Sequence, residues 1–215
     1  MAAGDVSKAM LARVRARLGE PTAATWTDAD LYGYLNEAQS DLVARRLPDG
    51  CLYAFTEIQE GSWQTDTMGY NLPTDFLRER YVEVGGKPCP RVDHQDIRQL
   101  TANRLKTATR DNPFYTFNQG QIRFYTGGQN PTTPTYRIFY VKKPAAAQLS
   151  TSVDPLAPAA LWSLMEEYAV AQARLQGRNL QESARLQKRY LTRCAVVASR
   201  YSGRRPFDAV AGDPK

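Results

Sequence analysis

The sequence predicts a mixed α+β fold, in which two α-hairpins form a helical bundle with an inserted antiparallel β-domain. Apolar residues recur every three or four positions near both ends of the chain, and this spacing is typical of amphipathic helices. Between about residues 51 and 144 the period falls to two, which is typical of strands. Glycine-containing turn signals separate those strands and favour hairpins.

The N-terminal hairpin is predicted over residues 1–50. Its first helix runs from Asp5 to Gly19, where the glycine stops the helix. Its second helix starts after Thr27, and Asp30 three positions later completes a pattern close to a capping box. The apolar face of this second helix consists of Leu31, Tyr34, Leu35, Ala38, Leu42 and Val43.

The β-rich domain is predicted over residues 51–150. Tight turns are expected at Gly85-Gly86 and at Gln119-Gly120. The segment "DHQDIRQLTANRLK" predicts one short helix, with Asp93 as its N-cap and His94 in its first turn.

A corner is expected in the stretch "GYNLPTDFLRER" of this domain, because Pro73 cannot donate to a strand ladder. Thr74-Asp75 would then turn the chain, and Phe76 would return it to the core.

The C-terminal hairpin is predicted over residues 151–203, and residues 204–215 form an extended tail. The hairpin's first helix runs from Pro158 to Gly177, and its second runs from Asn179 to Gly203. The inward face of the first helix is predicted to be Leu161, Leu164, Met165, Tyr168, Ala171 and Leu175. Glu166 and Glu167 point about 100° apart on this helix, so they are expected to be ordinary helix surface that shares no site.

The last helix carries a stripe of arginines. The chain of 215 residues has a net charge of +6, and residues 155–215 hold ten basic against five acidic residues. The stripe residues Arg185, Arg189, Arg193 and Arg200 fall on one side of a helical wheel, with only Glu182 to offset them. The far side carries Leu180, Ala184, Leu191, Cys194, Ala198 and Tyr201. Such a stripe is either a surface for phosphates or acidic side chains, or a solvated helix face.

Several function classes find no support in the sequence. Three distant cysteines argue against a disulfide framework and a zinc cluster. The single histidine rules out a two-histidine metal site and leaves any histidine-based triad resting on one residue. No phosphate-binding loop, dinucleotide fingerprint or hydrolase elbow is present. We therefore expect no enzymatic activity and no cofactor. There is no apolar run of membrane-spanning length and no secretory signal, so we expect no membrane partner and a cytoplasmic location or an assembly built in the cytoplasm.

The order of motifs is more specific than any one of them. The series is "WTDADLYGYLNEAQSDLVARRLPDG" at 26–50, "GYNLPTDFLRERYVEVGGKPCP" at 69–90, "NPFYTFNQGQIRFYTG", "YRIFYVKKP" and "LAPAALWSLMEEYAVAQARLQGRN". This series, over roughly residues 26–180, resembles the head-to-tail adaptor (connector) proteins of tailed bacteriophages, including the tail tubular protein A type.

The resemblance implies a virion protein at the head-to-tail interface. Such proteins form a ring, commonly of twelve copies, beneath the portal protein. The ring prolongs the channel for genomic DNA and presents a platform for the downstream tail or nozzle protein. The C-terminal segment commonly reaches the portal, and here its anchors would be Arg204, Arg205 and Phe207.

A second hypothesis comes from a different class of function. The arginine stripe would make the chain a DNA-binding module, whose affinity falls steeply as salt rises. No aromatic residues interleave with the exposed side of the stripe, so stacking on single-stranded bases is not supported.

Overall fold

The computed structural model describes residues 4–20, 22, 25–48, 52–63, 69–93, 108–127, 135–145, 149–150 and 153–201. The chain divides into two compact units. One is helical and combines Met1–Phe55 with Lys143–Lys215, and the other is β-rich and covers Thr56–Lys142. The short helix expected after Asp93, including His94, and the tail with its three anchors lie outside the described residues.

The helical unit contains the four helices that the periodicity predicts. They are α1 (Asp5–Leu18), α2 (Asp28–Asp41), α3 (Ala159–Gln176) and α4 (Leu180–Tyr201). A π-helical turn over Leu42–Arg46 extends α2, and a 3-10 turn covers Tyr53–Phe55. With the antiparallel sheets of the other unit, these helices confirm the mixed α+β class.

The ends of α1 and α2 follow the predicted capping chemistry. Gly19 ends α1 with a φ of 78°, in the left-handed region that glycine adopts without strain. The Oγ1 of Thr27 accepts a hydrogen bond from the backbone N–H of Asp30 at 3.2 Å, and the Asp30 carboxylate accepts one from the N–H of Thr27 at 3.0 Å. This reciprocal pair is a complete capping box, so the prediction is confirmed.

The N-terminus of α1 is capped by a residue distant in sequence. Gly4 has no side chain to offer, and the Asp154 carboxylate instead accepts hydrogen bonds from the N–H groups of Val6 at 2.9 Å and Ser7 at 3.0 Å. A negative charge also suits the positive end of the helix dipole. The proline-containing segment before α3 is thereby fixed to the start of α1.

Helix α3 lies against each of the other three helices. Its residues Leu161, Leu164, Met165 and Ala171 are buried, as predicted. Leu175 was predicted to face inward, but it is 40% exposed because it lies in the last turn of α3. The predicted apolar face of α2 is buried throughout.

Among its described residues, the β-rich unit has two antiparallel sheets. The first has the strand order β1 (Thr56–Ser62), β7 (Thr135–Lys142), β3 (Phe76–Val84) and β4 (Lys87–Pro88). The second has the order β2 (Tyr70–Asn71), β6 (Gln121–Tyr125) and β5 (Phe114–Asn118).

Both predicted hairpin turns are confirmed. Gly85 and Gly86 join β3 to β4 with φ values of 58° and 75°, and Gln119 and Gly120 join β5 to β6 with φ values of 50° and 77°. Two successive positive φ values are typical of the turns that match strand twist.

The core of this unit is aromatic. Buried Val82, Tyr115, Ile122, Tyr136 and Ile138 form its centre. Partly buried aromatic side chains pack against that centre: Trp63, Tyr70, Phe76, Phe117 and Phe124. Ring centroids of neighbours such as Tyr70 and Tyr136 lie 4.5 Å apart, within the favourable range for aromatic pairs.

The predicted corner in "GYNLPTDFLRER" is a structural feature of this core. Strand β2 ends at Asn71, and β3 begins at Phe76. The Asp75 carboxylate accepts a hydrogen bond from the hydroxyl of Tyr140 at 3.1 Å, which ties the corner to β7.

Candidate interaction surface

Two adjacent carboxylates on α3 bind arginines from two different helices. The side chains of Glu166 and Glu167 are each only 3% exposed. The Glu166 carboxylate binds Arg13 at 2.5 Å and Arg17 at 3.2 Å, both on α1. The prediction that this acidic pair is ordinary helix surface was therefore wrong. The predicted angular separation explains the arrangement, because each carboxylate points toward a different neighbouring helix.

Glu167 makes the matching contacts with α4. Its two carboxylate oxygens accept from Arg189 Nε at 2.8 Å and from Arg193 Nη1 at 2.7 Å. Arg193 also donates to the hydroxyl of Ser163 at 2.8 Å. A buried carboxylate needs such partners, since an unpaired buried charge costs several kcal/mol. Two of the four stripe arginines thus hold α4 onto α3.

The other two stripe arginines have no such role. Arg185 and Arg200 are exposed and, among the described residues, make no ion pair. The expectation that Glu182 offsets the stripe was wrong, because Glu182 pairs with Arg174 of α3 at 3.4 Å. The counter-charge for Arg189 and Arg193 comes from Glu167 of α3, and a helical wheel of α4 alone does not include that residue.

The face of α4 that packs on the unit includes polar contacts. The hydroxyl of Ser183 donates to the backbone oxygen of Ala171 at 2.9 Å, and the hydroxyl of Tyr190 donates to Asp41 at 2.9 Å. Burial raises the pKa of the Tyr190 hydroxyl, and burial likewise raises the pKa of the Cys194 thiol. Both groups are therefore neutral at physiological pH.

Part of the predicted far side of α4 is solvent-exposed. Cys194 is buried and Ala198 is half-buried, but Leu180 is 64% and Leu191 is 43% exposed, and Ala184 is exposed, as is the neighbouring Ala195. We call Leu180, Ala184, Leu191 and Ala195 the α4 strip. The buried face of α4, defined by Ser183, Tyr190 and Cys194, is rotated away from this strip.

The comparison with known families decides the class of this protein. A family model described as SU10 adaptor protein matches residues 7–207. The chain belongs to the SU10 adaptor protein family. This assignment confirms a phage adaptor in general and does not extend to the tail tubular protein A type. A search of curated proteins found no match.

Membership in this family gives the coarse function. The chain is a structural adaptor of a bacteriophage and a component of the virion, and it interacts with other head or tail proteins. No described helix has the length and apolar character needed to span a membrane. Within the same residues, no three histidine, cysteine, aspartate or glutamate side chains come together as a metal site.

The adaptor has a groove between α1 and α2. It measures about 520 Å³, and its lining is Lys8, Leu11, Ala12, Arg15, Ala16, Asp28 and Tyr32. The guanidinium of Arg15 bonds to the Asp28 carboxylate and donates to the backbone oxygen of Trp26 at 3.0 Å, so it crosses between the two helices. Ala12 and Ala16 are exposed one turn apart, so the α1 side of the groove is formed by small side chains.

The adaptor's β-rich unit also presents an apolar row on a sheet. Ile58 lies opposite Phe139, and Phe139 lies opposite Tyr81 in the strand register. Ile58 is 52% exposed and sits on β1, which is an edge strand of its sheet. Edge strands with exposed apolar residues are common sites of protein contact.

Proposed function

We propose that this adaptor forms a ring, of twelve copies, beneath the portal, where it joins the phage head to the tail and prolongs the DNA channel. The observation that carries the proposal is the family match over residues 7–207. The ordered motifs between residues 26 and 180 support it independently. The role requires no catalytic chemistry and no cofactor.

The proposed partners follow from the same role. Above the ring, the portal protein would receive the C-terminal tail, with Arg204, Arg205 and Phe207 as anchors. An aromatic side chain and arginines are the residue types that dominate such contacts. Below the ring, a downstream tail or nozzle protein would bind, and genomic DNA would pass through the centre. The protein would assemble in the host cytoplasm and would not require a membrane.

Two structural details belong to this proposal. The two helical hairpins are inferred to form one bundle, with α3 at its centre, because α3 lies against α1, α2 and α4. The narrower likeness to the tail tubular protein A type depends on the motif order alone.

Co-assembly with the portal of the phage that encodes this chain tests the proposal. We expect the full-length chain to form a ring on the portal, detected by native mass spectrometry. The triple variant R204A/R205A/F207A should lose at least tenfold in portal affinity, whereas the double variant R185A/R200A serves as a control with equal loss of charge. Equal binding by the wild type and the triple variant would contradict the assignment of the tail.

The alternative is a DNA-binding module that uses the arginine stripe. The observation in its favour is that Arg185 and Arg200 are exposed and not paired within the described residues. Reversal of Arg189 or Arg193 would leave Glu167 buried without a counter-charge, so R185E/R200E is the cleaner variant. If DNA binding is the function, affinity at about 0.15 M salt should be measurable and this variant should abolish it. Negligible affinity of the wild type would exclude the alternative.

A further inference from the structure

The α4 strip is an apolar surface that the described residues of the chain leave exposed to water. Leu180, Ala184, Leu191 and Ala195 recur at steps of four, seven and four residues, which places them on one side of the helix. Leu180 and Leu191 are 64% and 43% exposed. Meanwhile α4 packs on its own unit through Ser183, Tyr190 and Arg193. The α4 strip is thus a second contact surface of α4, and its own unit does not cover it.

The groove between α1 and α2 has the shape for such a contact. Its α1 side has the small side chains of Ala12 and Ala16, and Leu11 and Tyr32 add apolar surface. Helices pack by setting the large side chains of one into the spaces left by small side chains of the other. The leucines of the α4 strip fit a groove of this kind.

Charges at the margins of the two surfaces are complementary. Lys188 flanks the α4 strip on one side, and it is exposed. The α2 margin of the groove carries exposed Asp28 and Asp30. The α1 margin carries Lys8, and the strip's other flank offers the uncharged Gln187. The Arg15 guanidinium, which also lines the groove, is already bound to the Asp28 carboxylate. Opposite charges at a contact fix its register and exclude wrong partners.

One chain does not bring these two surfaces together. Glu166 holds α1 and Glu167 holds α4, each on its own side of α3. The strip of one copy is therefore available to the groove of the next. Such a contact is heterologous, and its repetition closes into a ring when the rotation allows.

We propose that the α4 strip of one adaptor copy docks into the α1–α2 groove of the adjacent copy, with Lys188 beside Asp28 and Asp30. This proposal rests on the proposed ring. It identifies the two contact surfaces, and both lie on the helical unit.

The test compares two substitutions of equal chemistry on α4. Leu191→Lys places a charge in the strip, and Val196→Lys places the same charge on the arginine side of the helix, where Val196 is 48% exposed. Both side chains are exposed, so both variants should fold. We expect the L191K variant to reduce ring formation on the portal at least tenfold and the V196K variant to change it less than twofold. Rings of L191K at the wild-type yield would overturn the proposal.

Cross-linking of mixed chains tests the pairing itself. One chain carries Ala12→Cys and the other carries Leu191→Cys, both in a Cys51→Ser background in which Cys89 and Cys194 are buried. A short bismaleimide should link the chains in portal-bound rings only when both are present. Rings that form without this cross-link would overturn the proposed interface, and the proposal that the chain forms a ring would stand. Absence of any ring in the wild type would refute the proposed function, and the interface with it.

Discussion

Glu166 and Glu167 are sequence neighbours whose carboxylates bind arginines of two different helices. Glu166 binds Arg13 of α1, and Glu167 binds Arg193 of α4. The distances are 2.5 Å from Arg13 to Glu166 and 2.7 Å from Arg193 to Glu167. Because α3 turns by 100° per residue, adjacent positions suffice to reach two different helices. This pair of carboxylates links α1 and α4 through α3.

The ion pairs of Glu167 predict that removing the arginines destabilises the fold more than removing the carboxylate charge. R189A/R193A leaves a buried carboxylate without a counter-charge, and we expect a loss of about 3 kcal/mol in the free energy of unfolding. E167Q leaves arginines that are 68% and 37% exposed and can return to water, so its loss should be about 1 kcal/mol. Urea denaturation, with hydrogen exchange over residues 180–201, measures both. A larger loss for E167Q than for the arginine pair would contradict this account.

The capping box of α2 predicts a specific dependence on pH. Hydrogen bonds from Thr27 lower the pKa of Asp30 below its ordinary value of 3.8. A lowered carboxyl pKa stabilises the fold above the ordinary value, and that stabilisation disappears as the pH falls through the lowered pKa. D30N should therefore be less stable than the wild type at pH 6, and the difference should shrink below pH 3.8.

Urea denaturation from pH 6 to pH 3 checks this difference. E37Q, on the same helix but beyond its first turn, is the control. A D30N difference that stays constant over this range would show that the Asp30 charge does not act through the cap.

The contact between Asp75 and Tyr140 predicts a shifted tyrosine titration. Burial first, and then the hydrogen bond to Asp75, raise the pKa of Tyr140 to about 12. The raised pKa stabilises the fold below pH 10, and this contribution is lost as the pH rises toward 12. Carbon-13 NMR of labelled tyrosine rings should show this late titration. D75N should lower the pKa of Tyr140 only in part, because the burial remains; an unchanged pKa would exclude a role for Asp75.

Two glycines with positive φ predict different tolerance of alanine. A Cβ at Gly127 would lie 1.9 Å from the backbone oxygen of Ala108, whereas a Cβ at Gly120 would meet nothing within 4 Å. G120A should therefore cost only the strain of the left-handed backbone, about 1 kcal/mol. G127A adds a backbone clash and should cost about 3 kcal/mol or more. Equal thermal shifts of the two variants would contradict the close approach at Gly127.

Local patterns predicted local structure correctly. The capping box at Thr27, the stop at Gly19 and the turn at Gln119-Gly120 depend on residues within a few positions of one another. Hydrogen bonds of this kind join residues that are close in sequence, so a local pattern is enough to predict them. The sequence therefore predicted these ends and this turn, together with the four helices α1 to α4.

The orientation of α4 required information from another helix. A helical wheel gives the angles between residues, but it does not say which side faces the unit. Leu180 and Leu191 were natural choices for the buried face, yet both are exposed, and Ser183 and Tyr190 are buried beside Cys194. The reason is that Glu167 on α3 and Asp41 at the end of α2 hold α4 through Arg193 and Tyr190. These partners lie 26 and 149 positions apart in the sequence, so no local pattern identifies them.

Electron cryomicroscopy of the purified chain with its phage's portal tests the central claim most directly. The account predicts a closed ring of twelve copies bound beneath the portal, with a continuous central channel. A portal that carries no ring of this chain, under conditions in which both proteins are folded, would contradict the claim.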